Sequence, residues 1–311
     1  METTKFIWFD GKLVPWDDAK VHVLTHSLHY GSSIFEGIRA YRCTDGTSEV
    51  FRLADHCRRM LNSAKIIRLD IPYTADQLGN ACIEVLKAND LPQGYIRPLT
   101  FVGYGEMGVY PGKNPVQTII ACWPWGAYLG PEALENGISI KTSTFTRSHI
   151  NANMSKAKAA GNYINSILAK IEAKDDGYDE AIMLDAQGYV AEATGENIFI
   201  VRDNIIKTTP LTSILGGITR DSIIKIARDM GYEVLEQQFT RDELYTADEV
   251  FLCGTAAELT PVREVDHRII GTGHRGPVTK RLQEEFFRIV KGEDARYKDW
   301  LTHYTVAKQD N

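Results

Sequence analysis

The recurrence of hairpin signals limits the fold more than any other feature of the chain. Three stretches, FIWFDGKLVPW, EAIMLDAQGYVAEAT and NIFIVRDNIIKT, each set strand-forming residues on both sides of a short turn. A two-residue turn such as Asp10-Gly11 joins antiparallel neighbours, whereas a parallel pair needs a long crossover. Further strands are expected at YIRPLTFVGYG, VQTIIACWPW, GISIKTSTF and EVFLCGT. Helical patterns interrupt them. Residues 53–67 carry Leu53, Cys57, Met60, Leu61 and Ala64 at helical spacing. TADQLGNACIEVLKAND opens on a capping box, Thr74 with Gln77, and Thr240 with Glu243 offers another. ITRDSIIKIARDMG closes on Gly231, and PVTKRLQEEFFRIVKG reads as a last amphipathic helix. Strands and helices in this irregular order favour an α+β chain of two α/β domains over one doubly wound parallel sheet.

The stretch WPWGAYLGPE, with two prolines and two glycines, reads as a connector over residues 123–132. It divides a smaller N-terminal domain, residues 1–122, from a larger C-terminal one, residues 133–311. A chain of 311 residues, 43% hydrophobic, can fill two such cores. A net charge of -6 leaves no basic footprint for nucleic acid. No apolar run approaches the ~20 residues that a membrane-spanning helix needs, and the N-terminus lacks a secretory pattern. Five scattered cysteines without a CxxC pair predict free thiols in a reducing cytoplasm.

Chemistry concentrates in a few segments. SKAKAAGNYINSIL sets Lys156 and Lys158 among alanines and a glycine, giving either amine room to reach a ligand. In LGGITRDSIIKIA, Gly216 and Gly217 lead into a helix start whose amides, with the Thr219 hydroxyl, can cradle an anion. CGTAAELTPV, with Gly254, Thr255, Ala256 and Ala257, is a second such turn. Neither is a P-loop, for want of its lysine, and no GxGxxG follows a strand. Glu192 lies at the end of a β-rich hairpin, where a carboxylate can pair with a protonated ring nitrogen. Glu196 can do the same work or simply stabilise its turn. His22, His26 and His29 are spaced for one helix face, yet no HExxH accompanies them, so local hydrogen bonding is preferred to a metal. Of Arg58 and Arg59, helical geometry turns only one inward. A roomy lysine, two anion cradles, a strand-end carboxylate and Tyr163 together are what pyridoxal phosphate requires.

The motifs KAAGNY, EATGENIF, GGITRD and GTAAELTPV, in this order, resemble the class IV pyridoxal-phosphate aminotransferases of the fold type IV, D-amino acid aminotransferase-like architecture. FEGIRAY, YIRPL and GPVTKRLQ resemble the bacterial branched-chain amino acid branch of that family. The resemblance runs from about residue 5 to 300. It implies that Lys158 bonds the cofactor aldehyde, that Glu192 meets the pyridine nitrogen and that Tyr163 meets the phenolate oxygen. It assigns Arg59, Ile218, Thr219 and Thr255 to the phosphate and Leu215 to the ring. For substrate it implies Phe35, Gly37, Tyr95, Arg97, Trp125, Tyr128 and the amides of Ala256 and Ala257. Tyr30 and Val109 would come from a neighbouring subunit, making a homodimer the minimal unit, with hexamers common among bacterial relatives. The activity implied is reversible transfer of the amino group of leucine, isoleucine or valine to 2-oxoglutarate, giving 2-oxo acids and glutamate in branched-chain amino acid biosynthesis. Ala160, where a second glycine also fits the pattern, is the one local departure. A D-amino acid aminotransferase or an aminodeoxychorismate lyase shares the cofactor segments, while YIRPL and GYGEMGV favour the branched-chain reading.

Overall fold

The computed structural model describes residues 2–126, 130 and 132–306. The chain divides into two compact units, the first made of residues 1–125, 157–161 and 288–311, the second of 126–156 and 162–287. The first unit thus recruits a mid-chain strap and the chain's end, where the sequence pattern implies one cut at 123–132. Strand pairing, which composition does not report, makes the difference.

In the first unit, strands β1 (Phe6–Phe9) and β2 (Lys12–Pro15) form the expected hairpin, with Asp10 at φ 44° and Gly11 at φ 89°. Both central residues are left-handed, as a tight hairpin turn demands. β3 (Ser33–Phe35), β4 (Ile38–Arg42), β5 (Ser48–Phe51), β6 (Gly94–Val102) and β7 (Val116–Trp123) extend a wholly antiparallel sheet, closed on the β5 side by the chain's last strand, Leu301–Tyr304. A short helix, α1 (His26–Tyr30), precedes β3. Helices α2 (Leu53–Ile67) and α3 (Ala75–Ala88) bury Cys57, Met60, Leu78, Cys82 and Val85 with Ile34, Ile38, Ile96 and Ile120 of the sheet. The Thr74 capping box of α3 is formed on both sides, at 3.2 and 2.8 Å.

The second unit is a mixed sheet. It runs through β8 (Ile138–Thr142), β9 (Glu180–Leu184), β10 (Val190–Ala193), β11 (Asn197–Arg202), β12 (Ile205–Thr208), β13 (Val234–Glu236), β14 (Glu249–Gly254) and β15 (Glu258–Val265), with the short β16 (Arg268–Ile269) paired to β15. Its helices are α4 (Ala133–Asn136), α5 (Tyr163–Asp175), α6 (Ile218–Asp229), α7 (Arg241–Tyr245) and most of α8 (Pro277–Val290), whose last residues from 288 on belong to the first unit. Cross-strand partners Phe199 and Phe251 stack at 4.9 Å. All five cysteines are buried and unbridged. No helix among the described residues is long and apolar enough to cross a membrane.

Candidate active site

The small residues of the strap explain its lysine. Ala157 and Ala159 are buried, and Ile34 bridges Ala159, so the segment lies against the first unit's own backbone. The Lys158 amide donates to Ser63 Oγ at 3.0 Å, and its carbonyl accepts from Phe35 N at 3.1 Å. Gly31 and Gly161 pass close together: a Cβ on Gly31 would stand 3.1 Å from the Gly161 Cα, and one on Gly161 3.3 Å from the Gly31 carbonyl oxygen. Held at both backbone groups, Lys158 sets its ammonium 4.9 Å from the centroid of the Phe35 ring. Lys156 belongs to the second unit and donates to the Ile214 carbonyl at 3.1 Å. Burial lowers its pKa, with Arg220 assisting and Glu192 opposing.

Helix α2 faces the strap with polar side chains as well as apolar ones. His56, Arg59 and Ser63 fall on one side at i, i+3 and i+7. Arg59 forks onto Glu36, Nε to Oε1 and Nη2 to Oε2, both at 2.7 Å, while Arg58 points to solvent beside Asp55. His56 Nδ1 lies 2.7 Å from Glu36 Oε2. Burial alone would raise the Glu36 pKa, but the Arg59 charge and hydrogen bond, joined by His56, outweigh it and hold the carboxyl well below its usual range. His56 is lowered, because burial exceeds what Glu36 restores. Neither Glu36 nor His56 stood out in the sequence beyond one acid inside FEGI.

The expected substrate residues of the first unit gather around Arg97. Its guanidinium carbon stands 4.7 Å from the Phe35 ring, 5.3 Å from Tyr95 and 5.9 Å from Trp123, and Nη2 donates to the Tyr95 hydroxyl at 3.2 Å. Its Nε is buried without a hydrogen-bond partner among the described residues. The Trp125 ring lies 5.1 Å from that of Tyr95, tilted by 31°. Gly37 is obligatory here: a Cβ would fall 1.9 Å from the Tyr95 hydroxyl. Tyr128 lies outside the described residues. Tyr30 and Val109 are exposed, at 44% and 86%. His29 bonds locally to the Val23 carbonyl and His22 to the Leu24 amide, whereas His26 pairs with nearby Ser32 and also reaches the Gly108 carbonyl far along the chain.

In the second unit a register shift between Val190 and Glu192 breaks the β9–β10 ladder. Such an irregularity re-aims a side chain, here a carboxylate only 5% exposed. Glu192 accepts from Arg147 Nε at 2.7 Å, from the Leu215 amide at 3.2 Å and from Asn197 Nδ2 at 3.3 Å. Asn197 also donates to the Leu215 carbonyl and explains Gly217, where a Cβ would fall 2.0 Å from Asn197 Oδ1. Gly217 caps α6 in an extended conformation with no side-chain hydrogen bond at the cap, so the helix opens on Ile218 and Thr219 with its first amides. The turn holding Thr255, Ala256 and Ala257 follows β14, whose Cys253 pairs with Asn197. Both glycine cradles therefore sit at the Asn197 end of β11. Tyr163 opens α5, and Asn165 on that helix accepts from Arg147 Nη1 at 3.3 Å. Glu196 takes the Gly195 amide of its own turn. Arg147 was not foreseen.

The amino-transferase class IV profile matches residues 33–265, which include both lysine-strap and carboxylate clusters. The chain belongs to that family. A branched-chain-amino-acid aminotransferase of Pseudomonas aeruginosa is 51% identical over 95% of this chain and 96% of its own length. The crystal structure of the Escherichia coli branched-chain amino acid aminotransferase superposes with a TM-score of 0.94 at 50% identity, covering 96% of this chain and 99% of that one. A further solved enzyme of the same name, complexed with N-(5'-phosphopyridoxyl)-L-glutamate, superposes with a TM-score of 0.93 at 46% identity over 97% and 99% of the two chains.

Proposed function

We propose that the chain transfers the amino group of branched-chain L-amino acids to 2-oxoglutarate in branched-chain amino acid biosynthesis, with pyridoxal 5'-phosphate as cofactor. The observation that carries this is Lys158, a lysine fixed at both backbone groups and aimed over Phe35. The residues fit the cofactor: Gly217 has no room for a side chain beside Asn197, which leaves the first α6 amides open to an anion, and Glu192 is held as a carboxylate acceptor. When bound, the cofactor supplies an aldehyde for amines and a ring that withdraws electrons from the substrate Cα. Lys158 would hold that aldehyde and, as a free amine, would move the proton at the substrate Cα as a general base. Glu192 would keep the ring nitrogen protonated, with Arg147, Asn197 and the Leu215 amide fixing its orientation. Tyr163 would bond the ring oxygen, Leu215 would pack on the ring, and Arg59, Ile218, Thr219 and Thr255 would hold the phosphate.

One pocket must take both aliphatic side chains and glutamate. The rings of Phe35, Tyr95 and Trp125 offer an apolar wall, with Gly37 leaving the space they border and the Ala256 and Ala257 amides meeting the substrate carboxylate. Arg97 has no carboxylate partner among the described residues, which suits it to the distal carboxylate of glutamate. Tyr30 and Val109 reach the site of a second copy, making a homodimer the minimal unit and a hexamer compatible with it. Five buried, unbridged thiols fit a reducing cytoplasm.

The deciding experiment is borohydride reduction of the native protein followed by digestion. A pyridoxyl tag is expected on Lys158, and the tag on Lys156 or nowhere in cofactor-loaded protein would overturn the reading. L-valine against D-valine as donor checks the stereochemical part.

A further inference from the structure

Of the Glu36–His56–Arg59 cluster, only Arg59 has a place in the chemistry just described, yet Glu36 and His56 are both buried beside it. Glu36 is 0% exposed and lies in the turn between β3 and β4, its amide donating to the Pro98 carbonyl at 2.9 Å. A buried carboxylate is tolerated only when paired and hydrogen-bonded, and this one has a two-point arginine fork and a histidine. The fork uses Nε and Nη2, so both the guanidinium plane and the direction of Nη1 are set. His56, anchored in the first turns of α2, fixes the carboxylate in turn.

An arginine left to its own rotamers samples many orientations, and ordering it on binding costs affinity. Planar two-point pairing removes that freedom beforehand. Phe35 and Gly37, on either side of Glu36, are both assigned to substrate, and Lys158 bonds Phe35 through its backbone. The anchor therefore sits one residue from groups whose placement matters.

Resting on the proposed cofactor, we propose that Glu36 is a positioning residue which, tethered by His56, orients Arg59 for the phosphate group, so that its loss discriminates between phosphorylated and unphosphorylated forms of the cofactor. A residue needed only for folding would weaken both forms alike.

The test uses full-length apoprotein of wild type, Glu36→Gln and Glu36→Asp, with affinity for pyridoxal 5'-phosphate and for pyridoxal read by tryptophan fluorescence. Glu36→Gln keeps the shape but faces an amide toward an arginine or histidine N–H. It is expected to lower affinity for the phosphorylated form about tenfold to a hundredfold while pyridoxal changes less than about threefold, the size of one lost charge-assisted pair. Glu36→Asp, with its carboxylate drawn back by a methylene, should fall between. In an Arg59→Met background, Glu36→Gln should no longer alter the ratio of the two affinities. Equal losses for both ligands, unchanged phosphate discrimination in folded Glu36→Gln, or an undiminished effect without Arg59 would each overturn the proposal. If Glu36→Gln fails to fold, His56→Leu must shift the same ratio in the same direction, and an unchanged ratio overturns it equally. Wild-type apoprotein that takes up neither ligand would instead remove the proposed function itself.

Discussion

Two carboxylates, Glu36 and Glu192, are each met by an arginine at 2.7 Å, but their surroundings differ. Glu36 is met by Arg59 and His56, whereas Glu192 also accepts from Asn197 and the Leu215 amide at 3.2–3.3 Å. Arg97 is the converse, a cation enclosed by rings. Cation–π contact with three aromatics makes its charge tolerable without neutralising it. Arg97→Ala is expected to reduce kcat/KM for glutamate about tenfold to a hundredfold, the value of a hydrogen bond to a charged group, while leucine loses far less. Half-reaction kinetics with each amino acid check this, and a variant that spares glutamate while harming valine rules the assignment out. Lys158, Glu192 and Arg97 were singled out because short motifs carry them, and Arg59 because a helix turns only one of the pair Arg58 and Arg59 inward. Arg147 was not. It stands in an aperiodic loop, TSTFTRSHI, 45 residues from Glu192, and only the folded chain pairs the two.

At the scale of elements, local signals read well and long-range ones poorly. The helix expected over 53–67 spans those residues, because its apolar spacing and its burial coincide. His56 was overlooked on that helix since only the apolar positions were counted; a polar residue in phase with Met60 and Ser63 was the available sign. β15 was read as a turn, because Gly254 to Pro261 is rich in small residues and proline disfavours a central strand. Pro261 is accommodated there because β8 joins β15 only from Val262 onward. Helix α8 shows a cap no sequence pattern announces. Its Val278 and Thr279 amides and the Thr279 hydroxyl all donate to Glu249 of β14, at 2.7–2.8 Å. Gly276 lets this happen, since a Cβ there would lie 2.1 Å from the Glu249 carboxyl carbon. Glu249→Ala is expected to lower stability by about 2–4 kcal/mol, combining a lost helix cap with buried unpaired donors. Urea unfolding reads it, and a loss below about 0.5 kcal/mol would mean water replaces the carboxylate at no cost.

For the molecule as a whole, the exposed apolar residues need an occupant. Val23, Leu28, Tyr30, Met107, Val109 and Tyr110 of the first unit are 44–86% exposed. Patches of such residues mark association surfaces. Val109→Asp is expected to shift the sedimentation coefficient toward the monomer and to lower activity in proportion; an unchanged oligomer with full activity would place Val109 outside any subunit contact. The units themselves were only half legible from composition. A change at 123–132 is real in the sequence, but nothing local announces that residues 157–161 and the chain's end are drawn back to the first unit. That return sets an order on biogenesis. The strand Leu301–Tyr304 is the outermost partner of β5, some 250 residues upstream. As the chain leaves the ribosome, β5 stays an open edge, available for stray pairing until residues 301–304 emerge. A chain cut before Leu301 would keep that edge uncovered for the life of the protein.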